Sequence, residues 1–417
     1  MGGIGRFTTF VVLGILTLSA AAQQEGLRDR DPSLSASKKI ASDLQQATLH
    51  FGDFYLLSRF QLSDIGYGQE FFTPTGKEAG KITLGASAPQ RLYFVPNRRI
   101  VCSADANPSY TWLGQSGTRN NQFGFSTRGD VQFLFNHVWL NLWGTRAREL
   151  RPQFGEINRV VTIHENQVGA RGELKYSSRT SLIFSGDFRG ARYPPGQLQP
   201  TEFRSILGLN DRKEHNFRTS LNHKTFPLTS LSVAYERSNY SFERTTYRNG
   251  YRQFVGLGVN FDNGTTVVQA EAGPGHLRFN QPGQKEFSGT LGKFAVARRA
   301  AQRTRFSLSA NRDLDFSIYA FNNYYILERL AGTIEYSATR RLTVRYISQY
   351  GRDLYEVAVP LLPLRRDSIS WNAVGWDYGL RRIRGGFDVG YYRRDSNVPD
   401  VDVAHGIRVV LHLSITP

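Results

Sequence analysis

Cysteine and long apolar runs are almost absent from this sequence. Cys102 is the only cysteine in 417 residues, so no disulfide can form within the chain, and its thiol is expected to be a small buried group. After residue 22 there is no run of 18 or more apolar residues, and the mean hydropathy is −0.40. A membrane-spanning helix is therefore excluded beyond residue 22, which leaves a soluble fold or a barrel of strands.

Acidic residues are scarce beside basic ones. Lys+Arg number 52 against 35 Asp+Glu, a formal net charge of +17, and only nine of the cations are lysines. The excess is thus arginine, whose planar guanidinium favours two-pronged contact with carboxylate, sulfate or phosphate groups. Nucleic acid often accounts for such a charge, but the export signal described next argues against nucleic acid as a partner.

The first 22 residues have the features of a secretory signal peptide. Arg6 precedes an uncharged run from residue 7 to residue 18, and Ser19-Ala20-Ala21-Ala22 supplies an Ala-x-Ala site. This pattern predicts export with cleavage after Ala22. An uncleaved membrane anchor is the alternative, but the run is too short to span a bilayer comfortably.

Residues 23–52 are mostly polar and are predicted to form a periplasmic N-terminal arm. Ser35 is placed to cap a short helix that carries Ile40 and Leu44 on one face. A small plug inside a pore is the alternative, and the sequence does not decide between arm and plug.

From residue 53 to residue 417 the chain repeats one pattern. In the segment from residue 340 to residue 350, Leu342, Val344 and Tyr346 fall on one face of a strand, and Thr343 and Arg345 fall on the other. Segments of about ten residues, apolar on one side and polar on the other, are typical of transmembrane β-barrels. Arginines on the polar face should point into a watery lumen, since each would cost about 2 to 4 kcal/mol facing lipid at mid-membrane.

The connections between these segments alternate in length. Tight turns occur at sites such as Asn136-His137 and Asn263-Gly264. The longer connections are predicted near residues 66–80, 114–122, 149–159, 190–213, 243–250, 278–285, 313–323, 352–366 and 395–404. Eight short and nine long connections predict an all-β, antiparallel up-and-down barrel of about eighteen strands, with sixteen as the alternative, short periplasmic turns and long extracellular loops.

A barrel of this size encloses an aqueous channel, and the register assigns its wall. The predicted pore-lining cations are Arg128, Arg171, Lys175, Arg218, Arg303, Arg305, Arg341, Arg345 and Arg384, facing the acids Asp130, Glu173, Asp187 and Asp388. A second interpretation is that these opposed charges simply pair across the lumen. Phe254 and Tyr392 are expected to project inward, whereas Trp139, Trp143, Tyr324 and Tyr325 are expected in the aromatic girdles at the membrane surfaces.

The passage from Gly169 to Leu182, GARGELKYSSRTSL, resembles the strand-turn-strand passages of a loosely defined group of β-barrel porins. The resemblance extends loosely from about Asp53 to the end of the chain and includes no invariant ligand or catalytic motif. Several members of the group accompany exopolysaccharide export systems, so the resemblance implies a pore for a sugar polymer.

Catalytic and metal sites find little support in the sequence. Gly114-Gln115-Ser116-Gly117-Thr118 lacks the last glycine of a nucleophile elbow, and His164-Glu165 is not followed by the second histidine of a zinc-binding helix. The pairs Asp313/Asp315 and Asp400/Asp402 are more simply solvated loop carboxylates than calcium ligands. The sequence therefore predicts no enzyme, cofactor or metal.

These observations predict an outer-membrane channel with an arginine-rich lumen that passes anionic saccharide or exopolysaccharide. A general diffusion porin and a structural or adhesive barrel are the alternatives, and an outer-membrane lipid-modifying enzyme is the least favoured. The expected partners are outer-membrane lipid, anionic solutes or polysaccharide, and periplasmic export components.

Overall fold

A computed structural model describes residues 32–68, 81–115, 118–152, 160–194, 208–317, 322–357, 364–380, 382–397 and 404–415. The predicted signal peptide and its cleavage site after Ala22 lie outside these ranges and stay predictions. Within the described ranges one α-helix, α1, spans Pro32–Gln45 and is followed by twenty-one strands in a single antiparallel sheet. Two short 3-10 helices span Gly208–Asn210 and Thr246–Arg248.

The strands fall into three groups along the chain. The first five are short: β1 Leu49–Phe51, β2 Phe54–Ser58, β3 Phe60–Gly68, β4 Lys81–Ser87 and β5 Gln90–Asn97. The next eight are β6 Ile100–Gln115, β7 Thr118–Leu134, β8 Val138–Pro152, β9 Val160–Lys175, β10 Thr180–Arg192, β11 Arg212–Phe226, β12 Thr229–Phe242 and β13 Gly250–Asp262. The last eight are β14 Thr266–Phe279, β15 Phe287–Arg299, β16 Thr304–Phe316, β17 Asn322–Ser337, β18 Leu342–Val357, β19 Arg366–Gly379, β20 Ile383–Ser396 and β21 Ala404–Ile415.

The sheet closes into a barrel of eighteen wall strands, as predicted. Arg59 interrupts one wall strand to give β2 and β3, and Ala88 with Pro89 interrupts the next to give β4 and β5. From β6 to β21 each strand pairs with its sequence neighbours, and β21 pairs with β3 to close the circle. Closure gives the strands from β3 to β21 partners on both sides, so the backbone groups of the wall satisfy one another.

Short and long connections lie at opposite ends of the barrel, which we call the turn end and the loop end. The Asn263-Gly264 turn is typical of the turn end: Gly264 adopts φ +82°, and Asn263 Oδ1 accepts hydrogen bonds from the backbone nitrogens of Thr265 and Thr266. On the sequence expectation the turn end faces the periplasm.

Several connections are shorter than predicted, and three of them differ most. The connections expected at residues 114–122, 313–323 and 352–366 comprise residues 116–117, 317–321 and 358–365, because β6, β7, β16, β17 and β18 extend further. The polar side chains of these segments led to the prediction of loops. Outside the membrane, however, both faces of a strand can be polar, so the strand continues as long as backbone hydrogen bonds to its neighbour are formed.

The outward face carries an apolar belt. Its most exposed members include Leu257 at 69%, Val168 at 59% and Ile407 at 55%. Tyr346 and Tyr350 also lie on this face, each 42% exposed. Large apolar side chains this exposed in a closed sheet match a lipid-facing surface.

Within the described ranges no helix is both long and apolar enough to cross a membrane. Helix α1 begins at Pro32, three residues before the predicted cap at Ser35, consistent with the preference for proline in a first helical turn. Helix α1 and β1 fall inside the predicted arm, and the wall begins at Phe54; the boundary at residue 52 stays a prediction.

Candidate functional site: the lumen

Directly paired residues of antiparallel strands share a face, so the register places the predicted pore-lining cations. Seven occupy lumenal positions on strands: Arg128, Arg171, Lys175, Arg218, Arg305, Arg345 and Arg384. Arg303 and Arg341 do not. They lie exposed in the turns before β16 and β18, where Thr339 Oγ1 accepts hydrogen bonds from the backbone nitrogens of Arg341 and Leu342.

Arg345 is the centre of a charged cluster near the turn end. Its Nη2 donates to Asp388 Oδ2 at 2.6 Å, and its Nη1 donates to Asp377 Oδ2 at 2.7 Å. Asp377 also forms an ion pair with Arg384, whose Nη2 lies 3.6 Å from Oδ2. On its other side, Asp377 Oδ1 lies 2.7 Å from His412 Nε2. The Arg345 side chain is only 16% exposed, so this part of the wall is a packed ion-pair network rather than a free positive charge.

A second network runs across six strands in the middle of the wall. It alternates cation and carboxylate in the order Lys293, Glu271, Arg218, Glu236, Arg252 and Asp313. Its ion-pair distances lie between 2.5 and 3.4 Å. The formal charges cancel along the chain of contacts.

Two tryptophans flank these networks on the lumenal face. The Arg128 guanidinium lies 5.1 Å from the ring centroid of Trp143, and that of Arg171 lies 5.9 Å from Trp139. Both distances are in the range of cation–π interaction. The predicted girdle position is therefore wrong for this pair, since Trp139 pairs with lumenal Glu173 and is only 5% exposed.

These residues border a lumenal cavity of about 860 Å³. Its charged lining consists of four cations and three carboxylates: Arg128, Arg171, Arg218, Lys293, Asp187, Glu271 and Asp313. Trp139, Trp143, Asn141 and Asn222 add aromatic faces and amide groups. Cavities of about 300 to 1,000 Å³ are the size that holds small-molecule ligands.

The loop end is narrowed by the β16–β17 hairpin. Pairing between β15 and β16 stops at Gly292 and Arg312, although β16 continues to pair with β17 up to Phe316. Beyond that point the face of β16 that carried lipid-facing Leu308 instead packs on lumenal residues: the Phe316 ring lies 5.0 Å from Phe242. The end of the hairpin therefore folds into the lumen.

An apolar cluster fixes this hairpin end inside the barrel. Its buried members are Phe242, Phe254, Leu277, Phe279, Phe287, Leu291, Phe316, Tyr324 and Ile326. Tyr324 is 2% exposed and Phe254 is 6% exposed. The girdle prediction is thus wrong for Tyr324 and its neighbour Tyr325, whereas Phe254 does lie on the lumenal face.

Arg248 joins the hairpin end to the loop between β12 and β13. The side chain is fully buried, and its Nη1 donates to Ser317 O at 2.6 Å and to Asn210 Oδ1 at 3.2 Å. Its Nη2 donates to Asn322 O at 2.6 Å. The two carbonyls lie on either side of the hairpin end, so one guanidinium clamps both arms.

Asp211, next to Asn210, has a perturbed carboxyl group. Burial raises the pKa of this carboxyl above its ordinary value, although a hydrogen bond donated by the Tyr193 backbone nitrogen acts to lower it.

Helix α1 lies on lumenal side chains at the turn end. Ile40, 7% exposed, packs with Leu57, Tyr93 and Val101. Asp43 Oδ2 accepts hydrogen bonds from Tyr93 Oη at 2.6 Å and Arg91 Nη1 at 2.9 Å. The helix therefore contacts the wall from its lumenal side.

Among the described residues no group of three or more histidine, cysteine or acidic side chains is placed to hold a metal ion. Asp313, weighed as a calcium ligand, instead pairs with Arg252 at 2.7 Å. Asp400 and Asp402 lie outside the described ranges.

No protein-family model matches this chain, and no curated protein matches it. Among solved structures it is similar to OccK2 (OpdF) of Pseudomonas aeruginosa in complex with glucuronate, with a TM-score of 0.50, 11% identity, and coverage of 87% of this chain and 98% of that one. For OccAB3 of Acinetobacter baumannii the TM-score is 0.50 at 10% identity, with 86% of this chain and 99% of that one covered. A bacterial polysaccharide outer membrane secretin aligns with a TM-score of 0.35, which is too low to carry an argument.

The fold is that of outer-membrane β-barrels. At these identities the likeness shows the architecture alone.

The Arg345 cluster of this outer-membrane barrel gives a prediction for stability. Arg345→Gln leaves Asp377 and Asp388 partly uncompensated in a buried setting, so we expect the free energy of unfolding to fall by about 3 to 5 kcal/mol. Arg384→Gln is the matched control: its side chain is 64% exposed, and its loss should cost about 1 kcal/mol or less. Urea unfolding in lipid vesicles measures both; equal losses would contradict the assignment of Arg345 as the centre of the cluster.

Proposed function

We propose that this protein is an outer-membrane channel for small saccharides that carry a carboxylate. The lumenal cavity of about 860 Å³ is the observation that carries the proposal, because its four cations, three carboxylates and two tryptophans combine the groups that bind a sugar acid. Guanidinium groups pair with a carboxylate, carboxylates and amides accept and donate to hydroxyls, and aromatic faces pack on sugar rings.

The likeness to OccK2, whose structure holds glucuronate, is consistent with this substrate class but shows only the fold. The narrowing at both ends favours small solutes over a polymer. Helix α1 and the β16–β17 hairpin end both pack on lumenal side chains, which disfavours passage of an exopolysaccharide, the other substrate that the sequence predicted.

Liposome swelling tests the substrate class. Vesicles containing the protein should admit glucuronate faster than glucose, which has the same ring and no carboxylate. Arg171→Gln combined with Lys293→Gln should slow glucuronate severalfold and leave glucose unchanged, because both changes remove lumenal cations while Arg218 still holds Glu271.

The control for these variants is Arg237→Gln. Arg237 lies on the outward face over the ring of Tyr251, at 4.6 Å, and has no access to the lumen. Equal rates for glucuronate and glucose in the wild type would instead indicate a general diffusion pore.

A further inference from the structure

A patch of basic side chains lies on the outward face of the barrel toward the loop end. Arg148 on β8 is directly opposite His164 on β9, which is in turn opposite Arg192 on β10. Arg146 lies two residues from Arg148 on the same face, opposite Asn166. We call Arg146, Arg148, His164 and Arg192 the outward basic patch.

The position of this patch relative to the apolar belt sets its depth in a membrane. On β8 the outward residue Leu142, 43% exposed, precedes Arg146 by four residues, or about 13 Å of strand. On β9 Val168 and on β10 Phe188, which is opposite it, are the outward apolar side chains on the barrel-centre side of the patch. On β7 Phe125 is directly opposite Arg148. Aromatic side chains form girdles at the membrane surfaces, so a patch beside Phe125 lies at the edge of the belt, at the level of lipid headgroups.

The patch is short of counter-charge. Arg192 reaches Glu243 at 3.3 Å, but Arg146 and Arg148 have no ion pair among the described residues, and Arg148 Nε is buried without a hydrogen-bond partner. Three other outward arginines near the loop end do have carboxylates: Arg278 has Glu286, Arg312 has Glu328, and Arg393 has Asp395.

Arg148 and Arg192 lie on the two strands that flank His164, about 10 Å apart, so an anion placed over His164 would meet a guanidinium group on either side. From this geometry we propose that the outward basic patch binds a phosphorylated headgroup of an anionic lipid in the outer leaflet. The long arginine side chains can reach one phosphate group from two sides. The site does not depend on what the lumen passes.

Lipid A that carries both phosphates, and its phosphate-free counterpart, are the probes. Binding to the purified full chain is measured by native mass spectrometry from detergent, with a chelator present to remove bridging cations. The phosphorylated form should bind, and Arg146→Gln with Arg148→Gln should weaken it by about tenfold or more. The control is Arg278→Gln with Arg312→Gln, which removes two arginines whose carboxylate partners already neutralise them, and it should change binding little.

Retention of heat-modifiable mobility on gels shows that each variant still folds as a barrel. Equal binding of the phosphate-free lipid, or equal weakening by the control pair, would overturn the proposal. Displacement of the lipid by inorganic phosphate alone would also overturn it, since the patch would then be a site for a soluble anion.

Discussion

Replacement of Arg248 by alanine should increase the single-channel conductance severalfold. The clamp formed by Arg248 holds Ser317 and Asn322 on the two sides of the inward-folded hairpin end, because its guanidinium donates to both backbone carbonyls. A hydrogen bond from a charged group contributes about 1.5 to 3 kcal/mol, so without the two bonds the inward position loses about 3 to 6 kcal/mol relative to an outward one. Because the hairpin occupies the lumen, its release widens the loop end.

Planar-bilayer recording measures this change. Arg248→Lys should give an intermediate conductance, because an ammonium keeps the charge but not the fork that spans both carbonyls. Arg237→Ala, on the outward face, is the control and should conduct like the wild type. A variant that unfolds more easily yet conducts as before would show that Arg248 supports the fold without narrowing the pore.

The strand count and the alternation of connections could be predicted because both depend on local signals. Period-two alternation fixes which face meets lipid, and turn residues such as Asn263-Gly264 mark the short ends. The same signal was available for the two tryptophans: Val138, Leu140 and Leu142 alternate on the outward face, so Trp139 and Trp143 must face the lumen. The interpretation as a girdle gave more weight to residue type than to register.

The narrowing elements could not be predicted because they depend on contacts far apart in sequence. Tyr324 and Phe316 join Phe242 only because the β16–β17 pair continues past the end of the β15–β16 pair. Arg248 lies in a connection, and its partners come from residues 210, 317 and 322. No pattern near Arg248 marks it as buried.

The sequence predicted that arginines line the lumen, but it did not predict that carboxylates would neutralise several of them. Register alone placed Arg345 and Arg218 on the lumenal face, yet each meets two carboxylates from other strands. Arg303 and Arg341 would fall on the lumenal face if β16 and β18 began earlier, but both residues precede the first paired residues of these strands. Selectivity should therefore depend on the small excess of cations at the cavity rather than on the total count.

Removal of residues 32–47 should also increase conductance, because helix α1 rests on the lumenal side chains of β2, β5 and β6. A smaller change tests the same contact, because Asp43→Leu removes the acceptor of both Arg91 and Tyr93. Loss of the hydrogen bond from the charged Arg91 should weaken the attachment of the helix to the wall by about 1.5 to 3 kcal/mol. Arg91 keeps its pair with Asp105, so the wall itself should stay intact.

We expect the deletion to give the highest conductance and Asp43→Leu the next highest. Lys38→Gln is the control: it removes an exposed charge from the same helix and should conduct like the wild type. Trypsin provides a second measurement, because a helix released from the wall exposes the bonds after Lys38 and Lys39 to cleavage. Faster cleavage in Asp43→Leu than in Lys38→Gln would show release. If the deletion leaves conductance unchanged, the helix lies outside the conducting path, and the periplasmic arm is the better description of residues 23–52.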